Sequence, residues 1–167
     1  ERMIDLNKPQ LLKGFNEVTK GNGYYKARLS TAASPKELMA GNYMLRSISK
    51  AKNTDHVIYT MESFEQYPDL HYATLDFKKS IRLTHGIDQQ KDYLWGTAEL
   101  VSWISLDGRK LEGVVYKPAD FDPAKKYPMI VSFYERNSET LFNYRMPEPH
   151  RSTIDYQDRK STRLNSS

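Results

Sequence analysis

The chain has 167 residues, about the length of one domain. Its 38% hydrophobic and 28% charged residues permit a modest core, and no apolar run is long enough to span a bilayer. The net charge of +4 is too small to indicate a nucleic-acid surface. The absence of cysteine excludes a disulfide framework, a cysteine-ligated zinc site and a thiol nucleophile.

The N-terminal part reads as short β-strands with one short helix. Residues 7–30 are loop-rich β structure, and the Gly-Asn-Gly at residues 21–23 predicts a surface turn. A phosphate-binding loop is disfavoured because Tyr-Tyr follows these glycines, where a helix start would be needed. Residues 34–39 predict a short helix, with Ser34 as its cap and Pro35 at its first position.

A series of closely spaced strands follows. The pattern predicts strands at residues 43–48, 56–61, 70–75 and 82–84, with polar turns between them. Such spacing predicts an antiparallel meander, equal to one blade or one and a half blades of a β-propeller. No internal repeat is visible, and a single blade would show none.

Three apolar runs of β type then organise the C-terminal half. They are residues 100–105, 111–117 and 129–134. The dipeptide Asp107-Gly108 predicts a tight hairpin turn between the first two runs. The third run, MIVSFY, is nearly continuous in apolar residues, which predicts a strand covered on both faces of a sheet.

The four histidines do not form the pattern of a metal site. His56, His71, His85 and His150 show no His-x-x-x-His or Glu-x-x-His spacing. His56 and His71 fall in predicted strands, where we interpret them as sheet-surface residues. No isolated pair of carboxylates indicates glycosidase chemistry. The sequence therefore predicts neither a metal site nor a cofactor.

An ordered set of short motifs resembles one peptidase family. The set comprises Trp95-Gly96, residues 99–103, Asp107-Gly108, Lys117-Pro118, residues 121–123 and residues 127–135, with residues 67–70 and 82–84 upstream and 135–138 and 151–154 downstream. It resembles the junction between propeller and peptidase domain in the prolyl oligopeptidase family of serine peptidases. The dipeptidyl-peptidase and acylaminoacyl-peptidase-like branches are the most similar. The resemblance covers most of residues 43–156.

The resemblance implies a mostly β chain with two incomplete domains. Residues 1–96 would be the C-terminal part of a β-propeller, and residues 97–157 would be the first strands of an α/β-hydrolase domain. It also implies a peptide or oligopeptide substrate and export from a bacterial cell. We expect no cofactor, and the small net charge predicts no nucleic-acid partner.

The resemblance also assigns a role to one tyrosine. In that family, a tyrosine at the end of an early central strand gives its hydroxyl to the oxyanion hole, and Tyr134 is the matching residue. A phenol held there can stabilise the oxygen on which charge develops. Without the resemblance, we would interpret Tyr134 as a half-buried residue that packs the sheet.

The nucleophile of such an enzyme is missing from the sequence. Acyl transfer in this fold needs a serine within G-x-S-x-G, and no serine here has those glycines. The triad serine, aspartate and histidine would all follow Tyr134, and His150 comes too early to belong to them. We therefore expect an inactive fragment of a serine-type peptidase. The alternatives are a non-catalytic protein of propeller or hydrolase-like architecture and a β-sandwich that stacks sugars on Trp95 or Trp103.

The two ends of the chain also suggest a fragment. Its opening, ERMIDLNKPQ, reads as if it began within a protein. Residues 158–167, DRKSTRLNSS, look like a translated sequencing adapter, and a polar disordered tail is the alternative. The basic excess of this segment supplies half of the net charge of +4. We expect the chain, on its own, to aggregate or to remain partly unfolded, because its sheet edges would lack neighbours.

Overall fold

The computed structural model of the chain describes residues 4–133 and 136–147, and the backbone of residues 158–159. These residues are mostly β, which confirms the coarse fold class, and every pairing with a described register is antiparallel. The chain divides into two compact units. The first comprises Glu1–Met61 with Asp69–Thr84, and the second comprises Glu62–Pro68 with His85–Ser167.

The first unit begins with a three-stranded sheet in the order β1-β2-β3. Strand β1 is Pro9–Phe15, β2 is Asn22–Arg28 and β3 is Lys36–Gly41. The prediction of a turn at residues 21–23 is wrong. The turn lies just before these residues and includes Lys20, which has a φ of 64°.

The glycines at positions 21 and 23 serve close packing instead of a turn. A Cβ on Gly21 would lie 2.1 Å from the carbonyl oxygen of Gly41, and one on Gly23 would lie 2.8 Å from the carbonyl oxygen of Met39. A side chain at either position would therefore collide with the neighbouring backbone. Both glycines are buried.

The prediction of a short helix at residues 34–39 is also wrong. Strand β3 occupies most of this segment and pairs antiparallel with β2. A helix of so few residues cannot offset the cost of its own nucleation. The strand instead gains hydrogen bonds from β2 and packs Leu38 and Met39 against the core.

The second sheet of this unit has the strand order β4-β5-β6-β7. Its strands are Met44–Lys50, His56–Glu62, Asp69–Thr74 and Ser80–Arg82. Strand β6 is antiparallel to both β5 and β7. The four strands expected from the spacing are therefore present, and strands that are neighbours in sequence are neighbours in the sheet.

The core of the first unit is aromatic. Its buried members are Tyr24, Leu45, Val57, Tyr59, Ala73 and Phe77. The ring of Phe77 stacks on Tyr24, with centroids 5.0 Å apart, although Phe77 belongs to the turn between β6 and β7. Burying a side chain of this kind typically stabilises the fold by about 1.5–3 kcal/mol.

The second unit is built around one hairpin. Strand β9, Thr97–Ile104, pairs antiparallel with β10, Lys110–Lys117. The predicted Asp107-Gly108 turn joins them, and Gly108 has the positive φ of 81° that such a turn requires. This unit also contains a two-residue strand β8, Tyr93–Leu94, which pairs with the backbone of β11, Asp158–Arg159.

Two short 3-10 helices complete the second unit. They are Gly86–Gln90, which precedes β8, and Asn137–Thr140, which follows the hairpin. Neither was expected from the sequence. In the described part of the chain, no helix has both the length and the apolar composition needed to cross a membrane.

The prediction of a buried strand at residues 129–134 is wrong for residues 129–133, the part of this run that the structure describes. Residues 129–133 form no strand, and Met129, Ile130, Val131 and Phe133 are between 69% and 89% exposed. A strand covered on both faces needs hydrogen-bonded neighbours and packing layers above and below it. The hairpin of β9 and β10 is a two-stranded sheet and does not pair with this run.

The described residues therefore form a small all-β structure rather than a propeller followed by an α/β-hydrolase domain. Their sheets have two, three or four strands, and none closes into a barrel. The domain limits at residues 96 and 157 stay a prediction.

Candidate functional site

The residue expected to stabilise an oxyanion, Tyr134, lies outside the described residues. The same holds for His150. Of the run that leads to Tyr134, residues 129–133 are exposed and lack regular structure. The oxyanion role of Tyr134 therefore stays a prediction.

The two strand histidines lie on opposite faces of the β4–β7 sheet. His56 is exposed, and its Nδ1 lies 2.8 Å from the hydroxyl of Tyr72. His71 is buried and stacks on Tyr59, with ring centroids 5.4 Å apart. The prediction of a sheet-surface position is thus confirmed for His56 and wrong for His71. Among the described residues, no group of three histidine, aspartate or glutamate side chains could hold a metal ion.

A buried carboxylate organises the edge of this sheet. Asp69 is 0% exposed, and its carboxylate pairs with the Arg82 guanidinium on β7. Thr84 donates its hydroxyl to Asp69 Oδ1 at 2.8 Å and accepts from the Leu70 backbone N–H at 2.8 Å. Buried charge is tolerated only when it is paired and hydrogen-bonded. This network, named here the Asp69 network, therefore fastens the chain after β7 to β6.

The sequence contains a spacing pattern that indicates the Asp69 network, although it is not one of the motifs of a known site. Asp69 and His71 are two residues apart on one strand, and Arg82 and Thr84 are two residues apart across from them. Period-two spacing places each pair on one face of its strand. Only the register, in which His71 pairs with Arg82, shows that the two pairs meet.

The pKa of His71 is lowered, first by burial and then by the neighbouring Arg82, with the Asp69 carboxylate acting in the opposite direction. The imidazole is therefore neutral at neutral pH. Its Nε2 is buried and has no hydrogen-bond partner among the described residues. The ring of His71 therefore packs inside the sheet, stacked on Tyr59 and beside the ion pair of Asp69 and Arg82.

The second unit holds an aromatic cluster, defined by Phe64, Tyr67, Tyr93, Trp95, Tyr116 and Tyr144. Trp95 stacks on Tyr144 with centroids 5.0 Å apart, and its Nε1 donates to the Phe64 carbonyl oxygen at 2.6 Å. Tyr67 meets Tyr144 edge to face. Indole rings usually find a partner for N–H when they are packed in this way.

Polar groups are buried beside the aromatic cluster. The carboxylate of Glu62 accepts from the backbone N–H of Tyr144 at 3.3 Å. Burial and the nearby Tyr67 raise the pKa of Tyr144 to about 12, against the effect of a hydrogen bond with Gln90. The phenol is therefore neutral at neutral pH. Phe64 is buried, and the other five rings of the cluster are half-buried.

The two tryptophans differ in their surroundings. Trp95 is held in the aromatic cluster. Trp103 is 49% exposed, and its ring lies 3.2 Å from the position that a Cβ on Gly113 would occupy.

No family model and no curated protein matches the chain. Among solved structures, a variant of the AtxE2 isopeptidase with Astexin3-dC4 bound matches 78% of the chain at 14% identity, with a TM-score of 0.57. The AtxE2 isopeptidase in its apo form matches 71% of the chain at 14% identity, with a TM-score of 0.48. The chain spans only 20% and 18% of the lengths of those two structures.

These comparisons correct the family assignment. Membership of the prolyl oligopeptidase family is wrong, because no family model matches and the similar structures are those of an isopeptidase. The described chain also lacks the propeller and hydrolase pair that the family would require. At 14% identity, the likeness with a TM-score of 0.57 shows a shared fold over that part of the chain.

Proposed function

We propose that this chain is part of a peptidase-type hydrolase. The observation that carries the proposal is the fold shared over 78% of the chain with an isopeptidase structure, at a TM-score of 0.57. Fold alone does not specify a reaction, so the chemistry has to be tested in its own right. Because the chain spans 20% of that structure, the proposal concerns a longer protein that contains it.

The finer form of the proposal is peptide-bond hydrolysis by serine-dependent acyl transfer. The sequence contains no G-x-S-x-G element. In the part of the chain that the structure describes, no hydrogen bond joins a serine to a histidine. The nucleophile is therefore assigned to another segment of the longer protein. Within this chain, Tyr134 is proposed as a hydroxyl donor to the oxyanion.

The test uses the longer reading frame that contains this sequence. The full protein and the 167-residue chain are each treated with a fluorophosphonate probe, which labels activated serines. We expect labelling of the full protein at a serine outside the 167 residues, loss of labelling when that serine is changed to alanine, and no labelling of the chain alone. Hydrolysis of a peptide substrate must disappear with the same substitution.

Two results would contradict the proposal. One is labelling of a serine within the 167 residues, which would place the nucleophile in this chain. The other is a folded full-length protein that neither reacts with the probe nor hydrolyses peptides. This second result would favour a non-catalytic binding protein. Such a protein is also compatible with the purely structural role of the Asp69 network.

A further inference from the structure

We propose that the first unit carries a binding groove for a phosphate monoester. The groove, named here the lysine groove, has a volume of about 480 Å³. Its charged and polar lining includes Lys26, His56, Thr74, Asp76, Lys78 and Lys79. This size falls within the usual range for small-molecule sites. The inference does not depend on peptidase activity.

The turn that carries two of the lysines is held rigidly. Phe77 has a φ of 55° and inserts its ring into the core, and its backbone N–H donates to the Thr74 carbonyl oxygen at 2.8 Å. The carboxylate of Asp76 accepts from the Thr74 hydroxyl at 2.6 Å and from the Lys78 backbone N–H at 3.2 Å. The backbone that bears Lys78 and Lys79 is therefore positioned before any ligand arrives.

The opposite wall is joined to this turn by hydrogen bonds. The Leu75 backbone N–H donates to the Asp55 carbonyl oxygen at 2.8 Å. Beside it, the hydrogen bond between His56 Nδ1 and the Tyr72 hydroxyl fixes the imidazole, whose other nitrogen has no partner among the described residues. Lys26 comes from strand β2. Three segments of one unit thus form the groove.

The lining of the groove carries a net positive charge. Asp55 pairs with Lys50, which lies outside the groove, at 3.4 Å. Asp76 lies 3.9 Å from Lys78 Nζ. Lys26 and Lys79 have no carboxylate partner among the described residues. Two ammonium groups therefore remain uncompensated, which suits an anion with two negative charges.

The charge of the groove suits a phosphate monoester. Among the described residues that line the groove, the strongly basic ones are the lysines Lys26, Lys78 and Lys79. A phosphate monoester carries a charge of about −1.5 to −2 at pH 7 and presents three strong acceptor oxygens. Lysine ammonium groups act as point charges with several donors and can compensate such an anion. The remaining space, beside Leu75, can accept a small organic group.

The test is isothermal titration calorimetry on the full chain at constant ionic strength. Inorganic phosphate, glycerol phosphate and succinate are titrated into the unmodified chain and into the double variant Lys26→Gln/Lys79→Gln. The matched control is Lys110→Gln/Lys126→Gln, which removes the same charge from the second unit. Circular dichroism melts verify that all three proteins are folded.

We expect both phosphates to bind the unmodified chain and the control, with succinate weaker. The double variant should bind phosphate about tenfold more weakly or worse. Three outcomes would each overturn the proposal: no binding of either phosphate, equal affinity in the double variant, or succinate binding as tightly as phosphate. None of these depends on whether the longer protein hydrolyses peptides.

Discussion

The carboxylate of Asp69 is completely buried, whereas the side chain of its ion-pair partner Arg82 is 32% exposed. A buried charge whose partner reaches solvent depends on that partner for most of its compensation. We therefore expect Arg82→Ala to destabilise the first unit by about 3–5 kcal/mol. Urea unfolding followed by circular dichroism measures this.

The exposed pair of Lys50 and Asp55 is the control for that experiment. Its side chains are 44% and 81% exposed, and Asp55→Asn should cost about 0–1 kcal/mol. Similar losses for Arg82→Ala and Asp55→Asn would show that the Asp69 network does not stabilise the unit. Arg82→Lys tests the geometry, because lysine keeps the charge but cannot also donate from Nε to the Thr84 carbonyl oxygen.

Stability should fall in mildly acidic solution because of His71. The pKa of its imidazole is lowered in the folded state by burial and by Arg82, so the unfolded chain binds the proton more readily. The stabilising contribution of the neutral ring is complete above the unfolded pKa of about 6.5 and is lost as the pH falls below that value.

Urea unfolding at pH 7.5 and pH 5 tests this prediction. In His71→Phe, the decrease in unfolding free energy between the two pH values should be smaller than in the unmodified chain. His56→Gln, at the exposed histidine of the same sheet, is the control and should keep most of the decrease. An unchanged decrease in His71→Phe would refute the assignment.

The aromatic cluster should depend on the indole N–H of Trp95. Trp95→Phe keeps a ring but removes the donor that binds the Phe64 carbonyl oxygen. Leaving a partly buried acceptor unpaired typically costs about 1–3 kcal/mol. Thermal melts followed by far-ultraviolet circular dichroism should show a lower Tm for Trp95→Phe. The control, Trp103→Phe, changes a ring that is 49% exposed and should have a much smaller effect.

The exposed apolar run at residues 129–133 should promote self-association. Ile130 and Val131 are 78% and 69% exposed within a segment of strand-forming residues that pairs with no strand among the described residues. Val131→Lys should therefore reduce aggregation, measured by light scattering as the chain is concentrated. Val18→Lys provides the control, because Val18 is 78% exposed but lies in a turn. If both variants reduce aggregation equally, general charge and not this run is responsible.

Tyr134 can be tested once the longer protein is active. If its hydroxyl stabilises the oxyanion, Tyr134→Phe should lower kcat by about a hundredfold or more and leave KM nearly unchanged. Tyr127→Phe, a nearby half-exposed tyrosine, is the control. A wild-type kcat for Tyr134→Phe would assign the residue to packing.

Local chemistry in the sequence determined the hairpin and the meander. Asp107-Gly108 supplies the turn conformation by itself, and the strands β5 and β6 follow from a period-two pattern within a few residues. Such features depend on neighbours in the chain. They could be predicted because no distant residue has to be known.

The tertiary structure decided the rest. Residues 34–39 carry helix signals but form a strand because β2 offers hydrogen bonds and a core to cover, and Gly21 looks like a turn residue but provides space for the Gly41 backbone. The burial of Asp69 follows from the register that brings Arg82 to it. Pairing, burial and close approach are relations between distant segments, and a pattern along one strand does not contain them.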